Sequence, residues 1–148
     1  MKIRLENLQK RIKIDKREIR TKVTRLMKLV NCADKEISIT FVDDPTIQRI
    51  NKQYLSRDKT TNVISFSLQE GDFGDINRGL LGDIVISVDT AHRDAEKGNF
   101  EFTEELIFLI IHGLLHLTGY NHENTSKTDA LKMKKKEKEL FSVLVQSR

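Results

Sequence analysis

One cysteine, one proline and no tryptophan stand among 148 residues. A lone Cys32 cannot close an internal disulfide, which excludes the small cystine-held scaffolds and suits a reducing compartment. One proline and seven glycines leave no stretch that reads as a flexible linker. There is no internal repeat, and the only biased tract is a lysine-rich patch near the end, so a single domain over residues 1–148 is expected. Long apolar runs are also missing. The longest, Leu106 to Leu117, is interrupted by two histidines and is too short to cross a bilayer. The opening MKIRLENLQKRIKID lacks the apolar centre of a secretory signal. The expectation is a cytoplasmic protein without a membrane partner.

What is abundant is charge, and it is unevenly placed. Residues 1–30 carry 11 Lys and Arg against 3 Asp and Glu, residues 31–131 carry 9 against 17, and residues 132–148 carry 6 against 2. Basic ends around an acidic middle fit a polyanion held at the periphery and a cation held within. The same stripes also arise where Lys and Arg simply solvate two surface helices.

The apolar periodicity predicts a mixture of helices and strands. Ile19, Val23, Leu26, Met27 and Val30 recur at helical spacing over 17–30, whereas Ile37, Ile39 and Phe41 alternate as in a strand over 37–42. Asp44-Pro45 predicts a helix start with Asp44 as cap, and Ile47, Ile50 and Tyr54 as its buried face. Residues 62–68 and 81–88 are β-rich, joined by a Gly/Asp-rich connection around Gly71 and Gly74. Thr90 to Lys97 reads as a short helix closed by Gly98. Thr103, Glu104 and Glu105 read as the cap and acidic first turn of another. That second helix is apolar nearly all round and should be buried, with Gly119 as its left-handed end. A last helix from about Ser126 keeps Ala130, Met133, Leu140 and Leu144 on one side. Without a repeated βαβ rhythm the fold class is α+β: a small mixed sheet packed with helices.

The chemistry is concentrated in His112-Gly113-Leu114-Leu115-His116-Leu117-Thr118-Gly119-Tyr120-Asn121-His122. Residues i and i+4 share a helix face, so His112 and His116 can direct two imidazoles at one ion. Gly119 lets the chain turn back and deliver His122 as the third ligand. Three neutral imidazoles with an open fourth position suit a catalytic zinc ion. His92 lies outside the cluster and reads as a surface residue. The spacing equals that of the metzincin proteases, H-E-x-x-H-x-x-G-x-x-H, except that Gly113 stands where they carry the catalytic Glu. The site is therefore zincin-like in geometry, without the carboxylate base that peptide hydrolysis uses.

The segment also resembles the H-G-x-L-H-L-x-G-Y-D-H signature of the bacterial YbeY-type endoribonucleases. Ile50 to Tyr54 followed by Asp58 to Phe66 is similar to that family's N-x-x-Y-R-x-K-D-x-P-T-D-V-L-S-F block, and Leu81 to Ser87 to its L-G-D-I-x-I-S strand. The resemblance implies a zincin-like α+β domain with one Zn²⁺ per chain. It implies single-strand-specific RNA cleavage in 16S rRNA 3′-end maturation and ribosome quality control, with ribosomal RNA and the small ribosomal subunit as partners and no DNA. Asn121 replaces the family's Asp beside the third ligand, and Thr60 its Pro. Leu55 replaces the Arg that follows Tyr54, while Arg57 falls at the family's Lys position. Arg57 and Glu123, the residue after His122, are the candidate catalytic residues; Asp83 reads as a structural hydrogen-bonding group or as one that orients a ligand histidine. Two other classes fit the same metal motif: a non-catalytic ribosome assembly factor with a structural zinc, and a zinc hydrolase of another substrate.

Overall fold

Two alternations of apolar side chains build the sheet and decide what packs on each side of it. A computed structural model describes residues 2–67, 79–119 and 127–146. In it, strands β1 (Lys2–Asn7), β2 (Glu36–Val42), β3 (Val63–Ser67) and β4 (Leu80–Ser87) form one sheet in the order β1-β2-β4-β3. β1 and β4 run parallel to β2, and β3 pairs antiparallel with β4, Ser65 opposite Ile84. β3 and β4 thus pair as a hairpin; the expected Gly/Asp-rich connection lies outside the described residues. β1 has no counterpart in the sequence reading. Only Ile3 and Leu5 alternate there, amid charges, and the strand is held by its parallel partner across α1 (Lys16–Leu29).

One face of the sheet carries Ile37, Ile39, Phe41, Ile84 and Ile86, all fully buried against helices α1, α3 (Val88–Gly98), α4 (Phe102–Leu117) and α5 (Lys127–Gln146). The other face carries Val42, Ile64 and Val85, covered by Ile47 of α2 (Asp44–Leu55). α4 is the hub. Nine of its 16 residues are buried, from Leu106 to Leu117, and it touches α1, α3, α5, β3 and β4. An apolar helix of this kind is stable only when surrounded, and the burial expected for it is what the structure has.

The helix ends depart from expectation by one or two residues. Asp43, not Asp44, caps α2, accepting from the Thr46 N–H at 3.0 Å. Asp44 turns instead toward α3. There its carboxylate accepts from Ser87 Oγ at 2.6 Å, Thr90 Oγ1 at 2.7 Å and an Arg93 guanidinium at 2.7 Å. Burial opposes ionisation of Asp44, but the hydrogen bonds from Ser87, Thr90 and Arg93 outweigh it and hold the carboxyl below its ordinary range. α3 begins earlier, capped by Ser87, and ends on left-handed Asn99, with Gly98 still helical. α4 starts at Phe102 after Glu101, so Thr103 lies inside the helix. Tyr54, expected in the buried face of α2, is 63% exposed and meets Phe66 edge to face.

Candidate metal centre

His112 and His116 are separated by one turn of α4, and their rings meet at a centroid distance of 4.6 Å. Their Nε2 atoms lie 3.1 Å apart. Two imidazoles bound to one tetrahedral zinc at 2.0–2.1 Å would hold their donor atoms about 3.3 Å apart. The pair therefore has the separation of two ligands of one ion. Behind His112, Glu137 of α5 places Oε1 2.5 Å from Nδ1. An ionised carboxylate only accepts, so Glu137 fixes the proton on Nδ1 and leaves the Nε2 lone pair aimed at His116. Carboxylate–imidazole pairs of this kind orient and strengthen metal-bound histidines. Among the described residues no group of three or more possible ligands meets, since His122, Asn121 and Glu123 all lie outside them.

Glu137 is the residue that sequence reasoning missed. It stands inside the lysine-rich patch near the end, over Lys132–Lys138, yet it is buried beside Met133 and Leu140. The signal available was its register: 137 lies four after 133 and three before 140, on the apolar side of α5.

Gly113, at the position of the protease glutamate, sits in a tight contact between α4 and the sheet. A Cβ at that position would come within 3.0 Å of Ser65 Oγ and 3.1 Å of Ile84, because α4 lies directly on β3 and β4. Ser65 Oγ donates to the Gly113 carbonyl at 3.3 Å across the same contact. Gly119 ends the helix at φ +110°, the left-handed turn expected there.

The structure describes three other residues that the sequence singled out, Asp83, Arg57 and His92. Asp83 alternates with Ile84, which packs under α4, and so faces the opposite side of the sheet, where it cannot orient His112 or His116. Arg57 is exposed in the turn after α2, behind left-handed Ser56, and its N–H bonds the Asn51 carbonyl at 3.2 Å. Buried Asn51 also donates its side-chain amide to the Lys59 carbonyl at 2.9 Å, and so supports a loop in which Thr60 replaces the family proline. His92 pairs with Glu96 at 3.3 Å on α3, at the surface as expected. Part of the basic N-terminal charge is engaged internally. Arg11 pairs with Asp89 at 3.2 Å, Arg20 donates to the Ile3 carbonyl at 2.7 Å, and Lys22 donates to the Leu144 carbonyl at 2.5 Å.

The central helix of this α+β chain thus brings two imidazoles together, one backed by a carboxylate. Comparison with known proteins then identifies the family. The family described as Endoribonuclease YbeY matches residues 4–145, and this chain belongs to it. It is 59% identical over 144 residues to Endoribonuclease YbeY of Syntrophus aciditrophicus, covering 97% of this chain and 90% of that one. It is 44% identical over 144 residues to the Endoribonuclease YbeY of Geobacter sulfurreducens, covering 97% and 96%. Among solved structures, the solution structure of TM1509 from Thermotoga maritima aligns with a TM-score of 0.63 at 26% identity, covering 97% of this chain and 92% of that one. Among the described residues, no helix is long and apolar enough to cross a membrane.

Proposed function

We propose that the chain is a metal-dependent endoribonuclease, one domain over residues 1–148, that cuts single-stranded RNA, with 16S rRNA 3′-end maturation and ribosome quality control as its setting. The family supports endoribonuclease activity, and the observation that carries the metal assignment is the 3.1 Å approach of His112 and His116 Nε2 with Glu137 behind it. His112, His116 and His122 would hold one zinc ion, a choice that imidazole donors favour. Zinc in such a site supplies Lewis acidity toward a phosphoryl oxygen. The protein's own groups do the rest. Glu137 keeps His112 in the binding tautomer, and buried α4 keeps both rings from swinging. Arg57 is the candidate cation for the reacting phosphate and Glu123 the candidate base. The exposed lysines of α5, with Lys10 and Lys13, hold RNA phosphates, and the partner is ribosomal RNA on the small subunit in the cytoplasm.

Purified protein incubated with single-stranded RNA tests this. Cleavage that a chelator stops, that zinc restores, and that His116→Ala lacks is the expected result. Zinc retention without cleavage of any RNA would instead identify an assembly factor with a structural zinc. Chelator-sensitive cleavage that survives in His116→Ala would come from a contaminating nuclease and overturn the assignment.

A further inference from the structure

The seam between α4 and α5 continues past the histidine pair into a cavity. Phe108 precedes His112 by four residues on α4, and Phe141 follows Glu137 by four on α5. The two phenylalanines therefore lie one helical turn, about 6 Å, along from His112 and Glu137. Their rings meet edge to face at 5.7 Å, and Phe100 completes the aromatic wall at 6.0 Å from Phe141. With Glu105 and Lys138 these rings line a cavity of about 270 Å³. An apolar cavity of about 150 Å³ accommodates one benzene ring, so the space suits a fused two-ring system. Phe100, 49% exposed, stands at its mouth.

The polar groups select among possible occupants. Among the described residues the Glu105 carboxylate has neither a hydrogen-bond nor an ion-pair partner, although the residue is half-buried. Burial, with Asp94 nearby, pushes its carboxyl above the ordinary range. An apolar protein side chain filling the cavity would bury that carboxylate further and give it no donor, an unfavourable result. A planar base with N–H donors on its edge would satisfy it, and three phenylalanine rings supply the stacking surface. Lys138 stands at the same cavity, and Lys134 and Lys135 are exposed on the same helix, where a phosphate backbone would run.

Resting on the endoribonuclease reading, we propose that this cavity binds one unpaired guanine base of the RNA strand lying along α4 and α5. The base stacks on the phenylalanine rings, Glu105 accepts from the N1–H and N2–H of its edge, and Lys138 meets a flanking phosphate. The pocket sets where along the strand the histidine centre is presented.

Fluorescence anisotropy of the full chain, zinc-loaded and kept cold, with labelled oligouridines that carry or lack one guanosine or one adenosine, tests the proposal. Guanosine is expected to tighten binding about tenfold, the usual scale for one stacked base. Phe100→Ala should remove that gain, and Phe100→Trp should retain it. Glu105→Gln should bind guanosine and adenosine oligonucleotides equally. Phe100 is half-exposed, so its replacement leaves the core intact, and a thermal melt checks this. Equal affinity for all three oligonucleotides in the wild type would overturn the proposal. Cleavage on warming the same samples reports on the nuclease reading separately. Cutting without guanosine preference overturns the pocket alone, whereas a wild-type chain that binds no oligonucleotide overturns both.

Discussion

The two faces of the sheet are held by different physics. Among the described residues, 25 buried ones form a single cluster on the α4 face, eight of them on the histidine helix itself; on the α2 face the buried cluster is Val42, Ile47, Ile64 and Val85. The thin side is fixed by polar contacts instead. Asp43 caps α2, Asp44 ties it to α3, and Asn51 ties its end to the following loop. The thick side fixes two imidazoles to within a hydrogen-bond distance of each other, whereas the thin side carries exposed Tyr54, Leu55 and Arg57. Burial thus fixes the two imidazoles of the candidate metal centre, whereas the helix held by polar contacts ends in side chains open to solvent.

The strongest way to break the contrast is to hollow out each side. Ile110→Ala, in the middle of α4, should cost about 4 kcal/mol, because surrounding helices prevent the cavity from collapsing. Ile47→Ala on the thin side should cost about 2 kcal/mol, since α2 can settle onto the sheet. Both residues are fully buried, so equal losses in chemical denaturation would erase the distinction. Next in size, Glu137→Gln should lower zinc affinity about tenfold to a hundredfold with little change in melting temperature, because the carboxylate orients His112. Competition against a chelating dye measures this.

A smaller effect is expected on the polar side. Asp44→Ala should cost about 2 kcal/mol at neutral pH, leaving the Ser87 and Thr90 hydroxyls without their charged acceptor. The pH dependence has a definite sign. The folded Asp44 carboxyl sits below its ordinary value, so its stabilisation is complete above the normal carboxylate range and is lost as pH falls through the folded value. The gap between Asp44→Ala and wild type should therefore close in acid; a gap that widens in acid denies the ionised role. The smallest expected effect is in RNA affinity. Replacing Lys134 and Lys135 should each flatten the log–log salt dependence by about 0.7. Arg11→Ala should leave the slope nearly unchanged, because that side chain pairs with Asp89.

How much of this was legible in the sequence follows from the range of each interaction. The His112–His116 pair was readable because its spacing is the helix period, and α4 was readable as buried because nothing on it is polar all along one side. Glu137 was not, because its partner is 25 residues away and its neighbours are lysines. β1 escaped because its pairing with β2 is parallel and across a helix, so no local turn announces it. The α2 cap was misplaced by one residue because Asp43 and Asp44 are chemically identical, and only contact with α3 decides which of them turns inward. Asp83 was read without a side because alternation becomes informative only once Ile84 is known to face α4.

The proposed zinc ion at the end of α4, held by His112, His116 and His122, can be counted directly. Zinc per chain, measured by mass spectrometry after equilibrium dialysis of the wild type and of His112→Ala, His116→Ala and His122→Ala, tests that assignment. One zinc is expected in the wild type and close to none in each variant, with folding retained by circular dichroism. Full zinc occupancy in any one of the three variants would contradict it.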